Sequence, residues 1–208
     1  MAFAFSRHLT YPFLRWRIET IEGLEHIPRS GPALLVANHV GHQDPLLLIF
    51  AIARALHGRA PYTIAKWKIF HSPFAQRWLQ TIPLYADRKR TLRQAENELQ
   101  KDNLVLIYPE AGINRKPVIQ KVKTGAARLA LATDAPIIPI GIQHISTHLM
   151  AKIGYGTEML FARVRIRIGL PVSIAAYKNQ PIDRPLLRQA MTTIMQPVAQ
   201  LANKTVNL

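Results

Sequence analysis

The stretch "ALLVANHVGHQDPLLLIFAIARALHG" (Ala33–Gly58) decides the fold. Its first residues, "ALLVA", form a short apolar run that reads as a buried strand. A polar cluster of Asn38, His39, His42 and Asp44 follows. A second apolar run then opens with Asp44-Pro45 and closes at Gly58. That is the signature of a helix with Asp at the N-cap, Pro at the first helical position and a Gly stop. A polar cluster between two segments that both want burial is either a well-capped turn, a metal site, or a base with its orienting carboxylate.

The same strand-then-helix pattern recurs outward from this unit. Strands are expected at 17–27, 62–66, 82–86, 103–109, 135–142 and 162–169. Helices are expected at 69–80, 90–102, 124–134 and 183–202, the last broken near Pro197 because proline cannot donate to the preceding turn. In "ARVRIRIG" the alternation puts Arg163, Arg165 and Arg167 on one exposed face. Strands alternating with helices imply a single α/β domain with a mixed, mostly parallel sheet flanked by helices. In such sheets chemistry collects just past the strand C-termini. Three strands run directly into ionisable residues: Asn38-His39, Asp87-Arg88-Lys89-Arg90, and Pro109-Glu110-Ala111-Gly112.

Composition narrows the chemistry. The 208 residues carry 27 Lys plus Arg against 12 Asp plus Glu, a net charge of +15 that favours polyanions such as phosphates. There is no cysteine, which excludes disulfides, a thiolate nucleophile and Cys-based metal sites. No apolar run approaches the roughly 20 residues of a spanning helix. Arg7, His8, Arg15 and Arg17 interrupt the N-terminus, so it does not read as a secretory signal. Phe5, Leu9, Phe13 and Trp16 share one helical sector away from those cations, the pattern of an interfacial amphipathic segment. An ordinary core-packed helix has the same pattern, and Pro12 weakens a continuous one. Residues 1–20 are therefore set apart as an amphipathic segment, and 21–208 as the domain.

His39 and Asp44 lie about 140° apart on a regular helix and would not share a face. They can meet only across a turn, which Gly41 and Asp44-Pro45 supply. A carboxylate on one ring nitrogen fixes the tautomer of a histidine and stabilises its imidazolium, leaving the other nitrogen to take a proton. No serine sits in a G-x-S-x-G elbow, so the hydroxyl activated would belong to a substrate. A metal site at His39, His42 and Asp44 lacks an evident fourth ligand. Arg88, Lys89 and Arg90 stand at a helix start, where backbone N–H groups already attract anions. Glu110, Gly112, Arg115 and Lys116 form a second polar loop, and Lys121 and Lys123 extend the basic rim.

These residues resemble the glycerolipid acyltransferase family, typified by 1-acylglycerol-3-phosphate acyltransferases. "NHVGHQD" matches its N-H-x4-D motif, "IPLYADRKR" its second motif, "YPEAGINR" its third, and Pro139 stands at the proline of the fourth. The resemblance implies His39 as general base and Asp44 as its partner. It also implies Arg88, with Arg115, on the acceptor phosphate, and Glu110 with the Gly112 loop placing the acceptor. The implied donor is an acyl-CoA or acyl-carrier-protein thioester, a co-substrate rather than a bound cofactor, with no metal. The implied acceptor is a lysophospholipid at an anionic membrane surface, with the protein on the cytoplasmic face and no nucleic-acid partner. Two positions depart from the family: Ile82 stands for the Gly that opens the second motif, and Ile113 for the Arg of the third. Both touch the acceptor site, so another lysolipid or polar hydroxyl remains open. A non-catalytic basic module binding lipid or nucleic acid, and a metal-assisted hydrolase, are the competing classes.

Overall fold

The computed structural model describes residues 15–66, 79–145 and 163–208. The expected helix at 69–80 falls almost wholly outside those residues, as do Phe5, Leu9 and Phe13 of the amphipathic segment.

Strand β2 (Ala33–Ala37) sits at the centre and is buried throughout. It pairs in parallel with β5 (Leu104–Ile107) on one side and β7 (Ile137–Ile145) on the other, so Leu35 faces Leu106 and Ile138 across the ladders. Alternate side chains of a strand leave opposite faces of the sheet. Leu34 and Val36 therefore enter one core and Leu35 and Ala37 another. Helices α2 (Arg88–Gln100), α3 (Gly125–Ala132) and α4 (Arg184–Leu201) cover the first face. Helix α1 (Asp44–Ala55) covers the second. A strand buried on both faces must be apolar at every position, and "ALLVA" is.

The main sheet is completed by β1 (Ile18–Glu22), β3 (Tyr62–Ala65), β4 (Thr81–Pro83) and β8 (Arg163–Ile168). Among the described residues it has seven strands, in the order β1-β8-β7-β2-β5-β3-β4. Among the pairs of these described strands, only β7–β8 is antiparallel, so β1 and β8 run against the other five. In β8, Val164, Ile166 and Ile168 are buried while Arg163 and Arg165 are exposed, as the alternation requires. Arg165 and Arg167 pair with Glu19 and Glu22 of the edge strand β1. A second, two-stranded sheet joins β6 (Val118–Ile119) to β9 (Thr205–Val206).

Several expectations need correction. The 17–27 segment is a strand only to Glu22; Gly23, at φ 79°, starts a 3-10 turn over Leu24–His26. Because β1 begins at Ile18, the end of the proposed amphipathic segment is a sheet strand, and Arg17 is buried rather than turned to solvent. β4 stops at Pro83, because the Thr91 hydroxyl takes over the Pro83 carbonyl and caps the Tyr85 N–H. The following helix starts two residues early, at Arg88, on an Asp87 cap. Helix α4 runs unbroken through Pro197. The lost hydrogen bond is offset by burial of Ile194, Met195, Val198 and Ala199 on either side of the proline.

Candidate active site

The N-cap of α1 is Gln43, not Asp44. Asp44 is the first helical residue, and its carboxylate turns back toward the preceding turn instead of binding the helix's own N–H groups. Oδ2 accepts from Val40 N–H at 2.7 Å and Gly41 N–H at 2.8 Å. The same oxygen meets His39 Nδ1 at 2.9 Å. With a carboxylate at that distance, Nδ1 is the protonated nitrogen and Nε2 is left as the acceptor. Asp44 is buried, and His39 is 17% exposed at its side chain. The turn thus makes the pairing that a continuous helix would forbid.

Tyr108, the first residue after β5, lays its ring 4.6 Å from the imidazole, tilted by 36°. Its hydroxyl is enclosed with no hydrogen-bond partner among the described residues. Burial, with the nearby Asp44 carboxylate, pushes that phenol well above its usual range. Tyr108 and Ala111 close a turn through Ala111 N–H to the Tyr108 carbonyl at 3.1 Å. Ala111 adopts φ 55°, a left-handed conformation that costs a non-glycine residue about 1–2 kcal/mol. Strain of this kind persists only where the surroundings over-determine it.

The surroundings here are a dense set of bonds. Glu110 accepts from His39 N–H at 3.1 Å and from Asn114 Nδ2 at 2.6 Å. Asn114 N–H donates to the His39 carbonyl at 2.7 Å. Arg115 Nε donates to the Val40 carbonyl at 3.1 Å. Asn38, just before the histidine, donates to and accepts from the Ile142 backbone on β7 at 2.9 and 2.7 Å. The backbone of His39 and Val40 is therefore held by side chains of the 109–118 loop, and the preceding Asn38 is tied to β7.

His39 opens onto a cavity of about 830 Å³. Its walls are largely apolar, with Leu46 and Ile49 from α1, Leu84, Leu92 from α2, and Ile107 from β5. Arg88, Gly112 and Ile113 also line it, together with Lys123 and Arg128. Gly112 leaves open space where a Cβ would stand. Glu110 and Arg115 are not on the cavity wall; their bonds hold the histidine's loop instead. His42 is exposed on the cavity wall, and among the described residues no three His, Cys, Asp or Glu side chains gather as a metal site.

A family model described as Acyltransferase matches residues 19–143, more than half of the chain. The chain belongs to the acyltransferase family. It is 31% identical over 196 residues to the human 1-acyl-sn-glycerol-3-phosphate acyltransferase alpha, covering 88% of this chain and 65% of that protein. It is 24% identical over 147 residues to the 1-acyl-sn-glycerol-3-phosphate acyltransferase of Borreliella burgdorferi, covering 67% of this chain and 56% of that one. The chain thus spans somewhat under two thirds of the length of these curated relatives. The crystal structure of the 1-acyl-sn-glycerophosphate (LPA) acyltransferase PlsC from Thermotoga maritima superposes with a TM-score of 0.64 at 21% identity, over 94% of this chain and 77% of that one. The two share a fold.

Family membership sets the two departures in context. Ile82 is buried in β4, a core residue. Ile113 presents an apolar side chain to the cavity. Arg128 was not foreseen as a site residue. Its neighbours Ala126, Ala127, Leu129 and Ala130 are all buried, so the one cation of α3 must face away from the core. That phase was readable in "GAARLALA".

Proposed function

We propose that this chain is an O-acyltransferase. It moves a fatty acyl group from a thioester of coenzyme A or acyl-carrier protein to the hydroxyl of a lysophospholipid, with 1-acylglycerol-3-phosphate as the leading acceptor. The observation that carries the reading is the 2.9 Å contact between His39 Nδ1 and Asp44 Oδ2, on the wall of an apolar cavity rimmed by cations. His39 Nε2 removes the acceptor's hydroxyl proton as the oxygen attacks the thioester carbonyl. Asp44 stabilises the imidazolium that results. The tetrahedral intermediate expels the thiolate, and the imidazolium returns its proton to that sulfur. No acyl-enzyme forms, because no nucleophilic side chain takes part.

The apolar walls suit the acyl chain, whose burial is favourable by about 0.8 kcal/mol per methylene. Arg88 and Arg128 are suited to the acceptor phosphate through charge-assisted hydrogen bonds. Gly112 leaves room for the headgroup beside them. Glu110 and Arg115 act through the loop they hold. The net charge of +15 favours residence at an anionic lipid surface, and no described helix is long and apolar enough to cross a membrane. The test is thiol release by purified protein from acyl-CoA and acyl-carrier-protein thioesters, against a panel of lysophospholipids. Turnover with lysophosphatidate is expected. A preference for an acceptor lacking a phosphomonoester would reassign the substrate, in keeping with the apolar Ile113. Absence of thiol release with every donor and acceptor would sink the reading.

A further inference from the structure

We infer that Lys204 is a positioning residue for His39, the pin of a clamp that the C-terminal tail closes over the 109–118 loop. This rests on the reading of His39 as the base. The loop grips His39 on both sides of its backbone. Its N–H donates to Glu110 at 3.1 Å, and its carbonyl accepts from Asn114 N–H at 2.7 Å. Between β5 and β6 the loop has no strand or helix of its own; its internal bonds centre on the Asn114 side chain, which donates to Glu110 and to the Val118 carbonyl, so a grip on Asn114 is a grip on the whole loop.

Lys204 supplies that grip. Its ammonium donates to the carbonyl of Asn114, the residue that bonds both His39 and Glu110, at 2.6 Å, and to the Lys116 carbonyl at 2.8 Å. The tail reaches this place through the fold. Gly141 on β7 lets the end of α4 press against the sheet; a Cβ there would lie 2.3 Å from the Leu201 backbone. The chain then turns at Asn203, φ 51°, and β9 pairs in parallel with β6. Thr205 N–H bonds Pro117 O and Asn207 N–H bonds Ile119 O, both at 2.9 Å. The Lys204 side chain is half-buried, and burial lowers its pKa while the Glu110 and Asp44 carboxylates act to raise it. A lysine held among carbonyls and near both site carboxylates is placed for a purpose that a solvent-facing lysine does not serve.

The prediction is a fall in kcat without a matching change in KM. Displacing a reacting group by about 1 Å costs on the order of 10²-fold in rate. Lys204→Met keeps the aliphatic stem and removes the donors. It is expected to lower kcat by about tenfold or more. KM for donor and acceptor should change much less than kcat, because the helix- and strand-borne parts of the wall, Arg88, Leu92, Ile107 and Arg128 among them, are untouched, and of the wall only Pro109, Ala111, Gly112 and Ile113 ride on the loop. Lys204→Arg, which restores donors and charge, should recover much of the loss. Lys101→Met, an exposed lysine at the end of α2, controls for the loss of one positive charge. In parallel, backbone hydrogen exchange of His39 and Asn114 should quicken in Lys204→Met and return toward wild type in Lys204→Arg. That arm needs no turnover, so it judges the clamp even if the proposed activity is wrong. A kcat within twofold of wild type, or unaltered exchange at His39 and Asn114, overturns the inference. If Lys204→Met does not fold, Lys204→Arg decides: a lasting kcat deficit with unchanged exchange counts against it.

Discussion

The two walls of the cavity are built differently. On the dyad wall, Asp44 is buried and one of its oxygens holds two N–H groups and an imidazole. Tyr108, Glu110 and Asn114 fix the surrounding backbone and ring. On the other wall, Arg88, Lys123 and Arg128 are exposed side chains that reach the same space from helix surfaces and a loop. Proton transfer needs a donor and acceptor held to fractions of an ångström. Capture of a charged headgroup does not. Damage to the first wall should therefore appear in kcat, and damage to the second in the acceptor KM.

The largest effect expected is from His39→Ala, which removes the proposed base and should lower kcat by about 10³-fold or more. Asp44→Asn keeps the shape but removes the charge and the preferred tautomer, and a large fall in kcat, smaller than that of His39→Ala, is expected. Asp44→Ala adds a stability loss, because Val40 and Gly41 N–H groups are left unpaired in a buried turn; about 1–3 kcal/mol per group should appear in urea melts. Arg88→Ala should raise the acceptor KM about tenfold with kcat nearly unchanged, and Arg128→Ala should act in the same direction. A loss confined to kcat in either arginine variant would erase the distinction between the walls. The smallest effect belongs to Tyr108→Phe, which keeps the ring on His39 and removes a hydroxyl without a partner; activity within about twofold is expected. Its signature lies at alkaline pH. The folded Tyr108 phenol is raised, so the wild-type fold holds its proton where the unfolded chain has lost it, and stability falls as pH climbs past the unfolded value of about 10. The phenylalanine variant should lose stability less steeply there.

The legibility of the sequence divides along similar lines. β2 was readable residue by residue, since a strand buried on both faces leaves no polar position to confuse its ends. The His39–Asp44 pairing followed from a local turn. Long-range features were not readable: β6 and β9 are two residues each, and their pairing joins segments far apart in the chain. Lys204 carries no local sign that it reaches Asn114. Asp44 misled in detail. Asp before Pro reads as an N-cap, yet three competing donors on its N-terminal side draw the carboxylate back. Pro197 misled for a related reason: helix propensity is local, and the core contacts that outweigh it are not.

The central claim is that His39 activates the acceptor's hydroxyl for direct transfer. Rapid-quench measurement of thiol release from acyl-CoA in the first turnover, with and without lysophosphatidate, tests it most directly. Release that requires the acceptor, without a burst in its absence and lost in His39→Ala, is predicted. A burst of one equivalent per protein without acceptor, or release by His39→Ala at the wild-type rate, would contradict the account.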